Sequence, residues 1–245
     1  MILNIKRFST EYPEKNSIDS FEITNVNLLK ALIEIKTQQD SSLTFRCGCK
    51  SGVCGSCAVR VNGVEQLACK TNIQNCDFIE PIKNSTIIKD LVVDVSHETL
   101  LLKRINSSIN IEVKNDVVNQ EDIKKIDLQS NCILCSSCYS SCPVYDVNKE
   151  FLGPFALTRA LRYVNDKRLV DKATILDSIQ SNGIWDCTLC SACTLVCPQN
   201  IDPKGDIMQL QNISVQFGYS NPYKQDFGFD GNFEDDFGGF NPNSF

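Results

Sequence analysis

The sequence predicts an α+β chain with a mixed first unit and an all-helical second one. Three observations carry this. Short alternating apolar stretches and an Asn62-Gly63 turn fill the region before residue 96. Apolar stripes at helical spacing run from about residue 121 to 216. Between them, residues 97–120 are polar and Asn-rich, as a connecting helix and loop would be.

In the first unit (1–96), Leu3, Ile5 and Phe8 begin an edge strand, and Phe21 and Ile23 alternate as a second. Asn27 is placed to cap a helix, because its side chain can accept from free first-turn amides. Leu28, Leu29, Leu32 and Ile33 then share one helical face. A glycine-rich loop spans Cys47 to Gly55. Ala58–Val61 and Gln66–Ala68 flank Asn-Gly, a strong hairpin signal since both residues tolerate positive φ. Phe78-Ile79 and Leu91–Val93 read as further strands.

In the second unit (121–216), Pro154 and Pro203 suit first-turn positions, where no backbone donor is needed. Phe155, Leu157, Leu161 and Val164 make one stripe, and Ile175, Leu176 and Ile179 another. Leu100-Leu101-Leu102 is the apolar piece of the connecting segment. The last stretch, 217–245, holds seven of the thirteen phenylalanines among Gly, Asn and Asp without any period. It reads as a disordered or partner-docking tail.

The charge of −6 argues against nucleic acid as a ligand, which calls for clustered Lys and Arg. Five acids and one lysine lie from Phe217 onward, so the rest is close to neutral. No apolar run approaches the roughly 20 residues of a membrane span. The start lacks the pattern of an export signal. Thiols are then expected to stay reduced, and metal ligation is the better default for fourteen cysteines. With His97 alone available, mixed Cys/His zinc sites are nearly excluded; all-cysteine zinc stays as the alternative.

Twelve of those cysteines fall into three groups. Cys49-x4-Cys54-x2-Cys57, followed by Cys69, has the plant-type [2Fe–2S] spacing. The thiolates must converge within a sharply folded loop, and Gly48, Ser51, Gly52 and Gly55 are small enough to allow it. Backbone amides of such a loop can donate to sulfur and raise the reduction potential. Cys132-x2-Cys135-x2-Cys138-x3-Cys142-Pro143 is a full bacterial-ferredoxin run, and Cys187-x2-Cys190-x2-Cys193-x3-Cys197-Pro198 repeats it. In two-cluster ferredoxins the fourth cysteine of each run serves the other cluster. One site is therefore expected on Cys132, Cys135, Cys138 and Cys197, and the other on Cys142, Cys187, Cys190 and Cys193. Cys47 is expected to pack in its loop and Cys76 to be an unligated, apolar-packing thiol. His97 reads as an isolated surface residue and Trp185 as core. No acid–base or nucleophile constellation is evident.

The order of these motifs resembles the iron–sulfur subunits of the succinate dehydrogenase/fumarate reductase family. The likeness covers residues 1 to about 213. It rests on Cys49–Ala58, Leu67-Ala68-Cys69, Lys89–Asp94, Cys132–Cys135, Phe151–Pro154 and Cys197-Pro198. It implies an N-terminal β-grasp ferredoxin domain and a C-terminal α-helical ferredoxin domain. It implies electron relay between a flavoprotein subunit, which interconverts succinate and fumarate at FAD, and a quinone site at the membrane. The [2Fe–2S] cluster would face the flavin, on a complex peripheral to the membrane. The cytoplasmic face is expected, with the periplasmic one reachable by co-export.

Two positions depart from the common pattern. Most relatives carry an apolar residue where Cys190 stands and hold a [3Fe–4S] cluster there. A fourth thiolate implies a second [4Fe–4S] cluster and a non-classical class, whose membrane partner resembles cysteine-rich heterodisulfide-reductase proteins. The His and Trp of the classical quinone pocket are also missing, with Thr188 in one place and no aromatic but Tyr145 near Val147 in the other. The rival readings are a free polyferredoxin and the iron–sulfur subunit of a thiol-linked fumarate reductase or another flavin oxidoreductase.

Overall fold

The computed structural model describes residues 1–9, 16–106 and 117–223, with the backbone alone at Glu98. The expectations for the middle of the connecting segment and for the tail from residue 224 lie outside the described residues.

Strands β1 (Ile2–Arg7) and β2 (Ser17–Glu22) lead into helix α1 (Leu28–Gln38), then β3 (Ala58–Val61), β4 (Val64–Leu67) and β5 (Asp77–Glu80). A small ribbon of β6 (Ile87–Lys89) and β7 (Val92–Val93) closes this unit. The main sheet has five strands in the order β2-β1-β5-β3-β4. β1 pairs antiparallel with β2 and parallel with β5, so it is interior and not the expected edge strand. That follows from a parallel partner some seventy residues away, which no local pattern reveals. Asn62 (φ 50°) and Gly63 (φ 86°) join β3 to β4 as a two-residue turn with both φ positive, as the Asn-Gly signal requires.

Helix α1 begins where expected. Asn27 Oδ1 accepts from the Lys30 amide at 3.2 Å, and Leu28, Leu29, Leu32 and Ile35 are buried in one core with Leu3, Ile5 and Ile79. Asn27 Nδ2 donates to the Cys69 carbonyl at 3.1 Å, so the helix cap also fixes the fourth cysteine of the first group.

The second unit is built from α2 (Ser96–Arg104), α3 (Gln120–Lys124), α4 (Asp127–Ser130), α5 (Ser137–Ser140), α6 (Pro143–Val147), α7 (Pro154–Val164), α8 (Ala173–Ser178), α9 (Ala192–Leu195) and α10 (Pro203–Gln216). Prolines open α6, α7 and α10. The expected stripe of α7 is buried together with Ile175, Leu176 and Ile179, and Leu101 and Ile105 bring α2 into the same core. Burying a side chain of this size stabilises by about 1.5–3 kcal/mol. Gly153 (φ 79°) before α7 lets Tyr139 lie against the backbone; a Cβ there would come within 2.1 Å of its ring.

Candidate metal centres

The loop of the first group turns through three left-handed residues, Lys50 (φ 59°), Gly52 (φ 84°) and Gly55 (φ 71°). Two are among the expected small residues; Lys50 is not. These reversals aim amides at sulfur. Ser51 N and Val53 N each lie 3.4 Å from Cys49 Sγ, and Cys49 N lies 3.4 Å from Cys54 Sγ. Hydrogen bonding from Ser51, then from Val53, holds the Cys49 thiol down to about 5. Burial pushes Cys57 up to about 11, with the charges of Cys69 and Cys54 adding to it. Cys49 and Cys54 are exposed, Cys69 is half-buried and Cys57 is buried. Cys47 and Cys76 are both exposed, contrary to the packed positions expected of them. Cys76 sits at φ 68° at a chain reversal, where its amide bonds Ile2 O and its side chain is left outside.

The two helical runs cross. Cys132, Cys135, Cys138 and Cys197 line one cavity, closed by Phe155 and Thr158. Cys142, Cys187, Cys190 and Cys193 line a second, closed by Phe151 and Lys204. The fourth cysteine of each run thus stands with the first three of the other. Burial raises Cys132, Cys135, Cys142 and Cys187, and pushes Cys193 up to about 12. Among the described residues no group of three or more His, Cys, Asp or Glu converges tightly enough for a single metal ion. In the helical unit four thiols line each of two cavities, the donor set that a cubane iron–sulfur cluster takes.

The repeat is visible in the backbone. Leu134 (φ 51°) and Ser136 (φ 66°) flank Cys135, and Leu189 (φ 55°) and Ser191 (φ 68°) flank Cys190. Left-handed non-glycine residues cost roughly 1–2 kcal/mol each, so their recurrence at equivalent places is a built feature. Cys190 occupies the same backbone slot as Cys135. Leu189 N donates to Cys187 Sγ and Tyr145 N to Cys142 Sγ, both at 3.4 Å.

The first loop meets the first helical ring. A Cβ on Gly55 would lie 2.8 Å from both Cys135 Cβ and Ile133 O. Gln199, two residues after Cys197, donates to Gly52 O at 3.1 Å. Beside this contact, buried Ser140 Oγ donates to Glu65 Oε1 at 2.6 Å and accepts from Lys83 N at 2.7 Å. Glu65 also pairs with Arg60, which binds Glu80 as well. The Cys132/Cys135/Cys138/Cys197 ring is therefore the middle site. Neither this interface nor the left-handed turns at Leu134 and Leu189 carries a short-range sequence signal.

His97 is not an isolated surface residue. It is half-buried and stacks on Tyr145 with ring centroids 5.8 Å apart, and burial lowers its pKa. The Leu101 and Ile105 anchors of α2 bring it there. Trp185 is half-buried against the helical core, and its Nε1 donates to Gln180 Oε1 at 2.8 Å.

A plant-type cysteine loop docked on a helical unit with two crossed four-cysteine rings defines an iron–sulfur electron carrier. Comparison with known proteins agrees. A family model described as a 2Fe-2S iron–sulfur cluster binding domain matches residues 2–99, and one described as a 4Fe-4S dicluster domain matches 129–201. The fumarate reductase iron–sulfur subunit of Haemophilus influenzae is 33% identical over 232 residues, 85% of this chain and 91% of that one. The 8-methylmenaquinol:fumarate reductase iron–sulfur subunit of Wolinella succinogenes is 33% identical, over 84% of this chain and 70% of its own. A chain of the Mycobacterium smegmatis Sdh1 complex in the apo form shares the fold, with a TM-score of 0.77 at 22% identity, over 91% of this chain and 98% of that one. The chain belongs to the succinate dehydrogenase/fumarate reductase iron–sulfur subunit family, the electron-transfer subunits of these oxidoreductases. Among the described residues no helix is long and apolar enough to cross a membrane.

Proposed function

We propose that this chain carries one [2Fe–2S] cluster on Cys49, Cys54, Cys57 and Cys69, one [4Fe–4S] cluster on Cys132, Cys135, Cys138 and Cys197, and a second [4Fe–4S] cluster on Cys142, Cys187, Cys190 and Cys193. It connects an FAD-bearing, dicarboxylate-interconverting subunit to a quinone-linked membrane subunit. Bound iron–sulfur clusters supply sites that accept and release single electrons. The chain's own residues hold these sites in order: Gly55 and the Gly52 carbonyl bring the first loop onto the middle ring, and α5 and α9 carry Cys138 and Cys193 on adjoining helices.

The observation that carries this reading is the crossed pair of four-thiol rings. The donor chemistry fits, since each helical ring offers four thiols in one cavity. The matching backbone slots of Cys190 and Cys135 support a fourth iron at the last site. Cys190, with Thr188 in place of the classical His, favours the non-classical class and a cysteine-rich, heterodisulfide-reductase-like membrane partner. A peripheral complex on the cytoplasmic face agrees with that reading.

Spectroscopy of the complex purified without air tests it. Iron and sulfide contents should match one [2Fe–2S] and two [4Fe–4S] clusters, with a [3Fe–4S] signal only after Cys190→Ser. An abundant [3Fe–4S] signal in the anaerobically oxidised wild type would remove Cys190 from the ligand set. A tagged chain should also retain a flavoprotein.

A further inference from the structure

Asp206 is a buried carboxylate that nothing above employs. It is 3% exposed, on the first turn of α10. Gln129 Nε2 donates to its Oδ1 at 2.8 Å and Thr158 Oγ1 to its Oδ2 at 2.8 Å. Both donors are neutral, and among the described residues no Lys or Arg pairs with it. Its surroundings belong to the middle ring. Thr158 and Pro203 line that cavity, and Gln129 O accepts from the Cys132 amide at 3.4 Å. The carboxylate therefore stands one residue behind the cavity wall.

The charged groups around it are accounted for. Asp202, one turn earlier on α10, is engaged by Thr194 of α9 and by Gly205 N. On α7, Arg162 pairs with Asp166, and the charge of Arg159 bears on Cys132. On α10, Lys204 acts on Asp202. Burial raises the Asp206 pKa; the donors from Gln129 and Thr158 oppose this, and the charge of Asp202 adds to it.

We infer that Asp206 is the redox-linked proton acceptor of the middle site: when that site gains one electron, the Asp206 carboxylate takes up one proton from solvent and becomes the neutral acid. The inference rests on the middle ring holding its proposed cluster. Physically, a new negative charge behind one layer of side chain, in a low-dielectric interior, disfavours a second one nearby. The Thr158 hydroxyl can turn to accept from the protonated oxygen while Gln129 Nε2 still donates to the other, so only a hydroxyl hydrogen has to move.

The test is potentiometric titration of the middle cluster in the anaerobic holocomplex across a pH series. Cluster loading is confirmed first, so that a missing cluster counts against the ligand assignment and a flat response counts against Asp206. The midpoint is expected to fall with rising pH, by up to about 59 mV per tenfold change in proton concentration. Asp206→Asn should abolish that slope and hold the midpoint near the wild-type low-pH value, with the other two clusters unmoved. A flat wild type, or an unchanged slope in the variant, overturns the inference. Should the variant fail to assemble, infrared difference spectra of wild type serve instead. Reduction should produce a protonated-carboxyl band that Thr158→Val displaces; its absence refutes the assignment.

Discussion

Substituting Gly55 by alanine tests whether the two units are held at contact through the first cysteine loop. The residue sits at φ 71°, where a side chain costs about 1–2 kcal/mol. The new Cβ would meet Cys135 Cβ and Ile133 O at 2.8 Å, and Cys135 Cα at 2.9 Å. Ordinary contact begins at 3.4 Å, so the loop and ring must separate by about 0.6 Å. Two of those three atoms are backbone and the third is a Cβ, so no rotamer change relieves the clash. Overpacking of this kind adds roughly 1–3 kcal/mol. Gly63→Ala is the matched control. It has the same backbone problem at φ 86°, yet its Cβ meets only Arg60 Nη2, at an ordinary contact distance of 3.5 Å. Thermal melting of the anaerobic holoprotein should place Gly55→Ala below Gly63→Ala by about 1–3 kcal/mol. Magnetic coupling between the first and middle clusters should weaken in Gly55→Ala alone. Equal melting of the two variants with unchanged coupling would refute the close approach.

Ser140→Ala removes the hydroxyl that bridges Lys83 N and Glu65, and should cost about 1–3 kcal/mol by leaving buried polar groups short of a partner. A melting cycle with Glu65→Gln should show coupling between the two positions. At low pH, Asp40 adds a defined loss. Ser42, then Arg7, holds its carboxyl at about 2 against an ordinary 3.8. Because the folded value is depressed, its contribution is complete above about pH 4 and disappears as pH falls toward 2. Wild type and Asp40→Asn should therefore converge in melting temperature over that window. Measuring them in parallel makes acid loss of clusters common to both.

What was legible in the sequence was local. The Asn62-Gly63 turn, the Asn27 cap and the prolines at α7 and α10 each depend on a few adjacent residues, and each forms as expected. The three cysteine groups were legible because their ligand spacing is itself short-range. Long-range partners were not. β1 looks like an edge strand until β5 pairs with it in parallel. His97 looks isolated until α2 docks and Tyr145 covers it. Lys50, Leu134 and Leu189 adopt left-handed backbone without being glycine, because the loops around the cysteines over-determine them. Asp206 carries no short-range signal, and its burial appears only once α4 and α7 are folded around it.

The exposure of the cysteines gives the three sites different electrostatic circumstances. Cys49 and Cys54 are exposed at one end and Cys190 at the other, while none of the four middle-ring thiols is. Solvent can screen a charge arriving at either end. At the middle ring no thiol is exposed, so that screening is weaker, and the first loop covers the side where Gly55 meets Cys135. A charge gained there must be balanced by the protein itself or be disfavoured. Asp206, neutralised by a proton, is the group placed to balance it. An acid in the same relation to the Cys190 end would have water to do that work and would need no proton. The pH response is accordingly expected at the middle potential, and it is the site with no exposed thiol that should feel protons most.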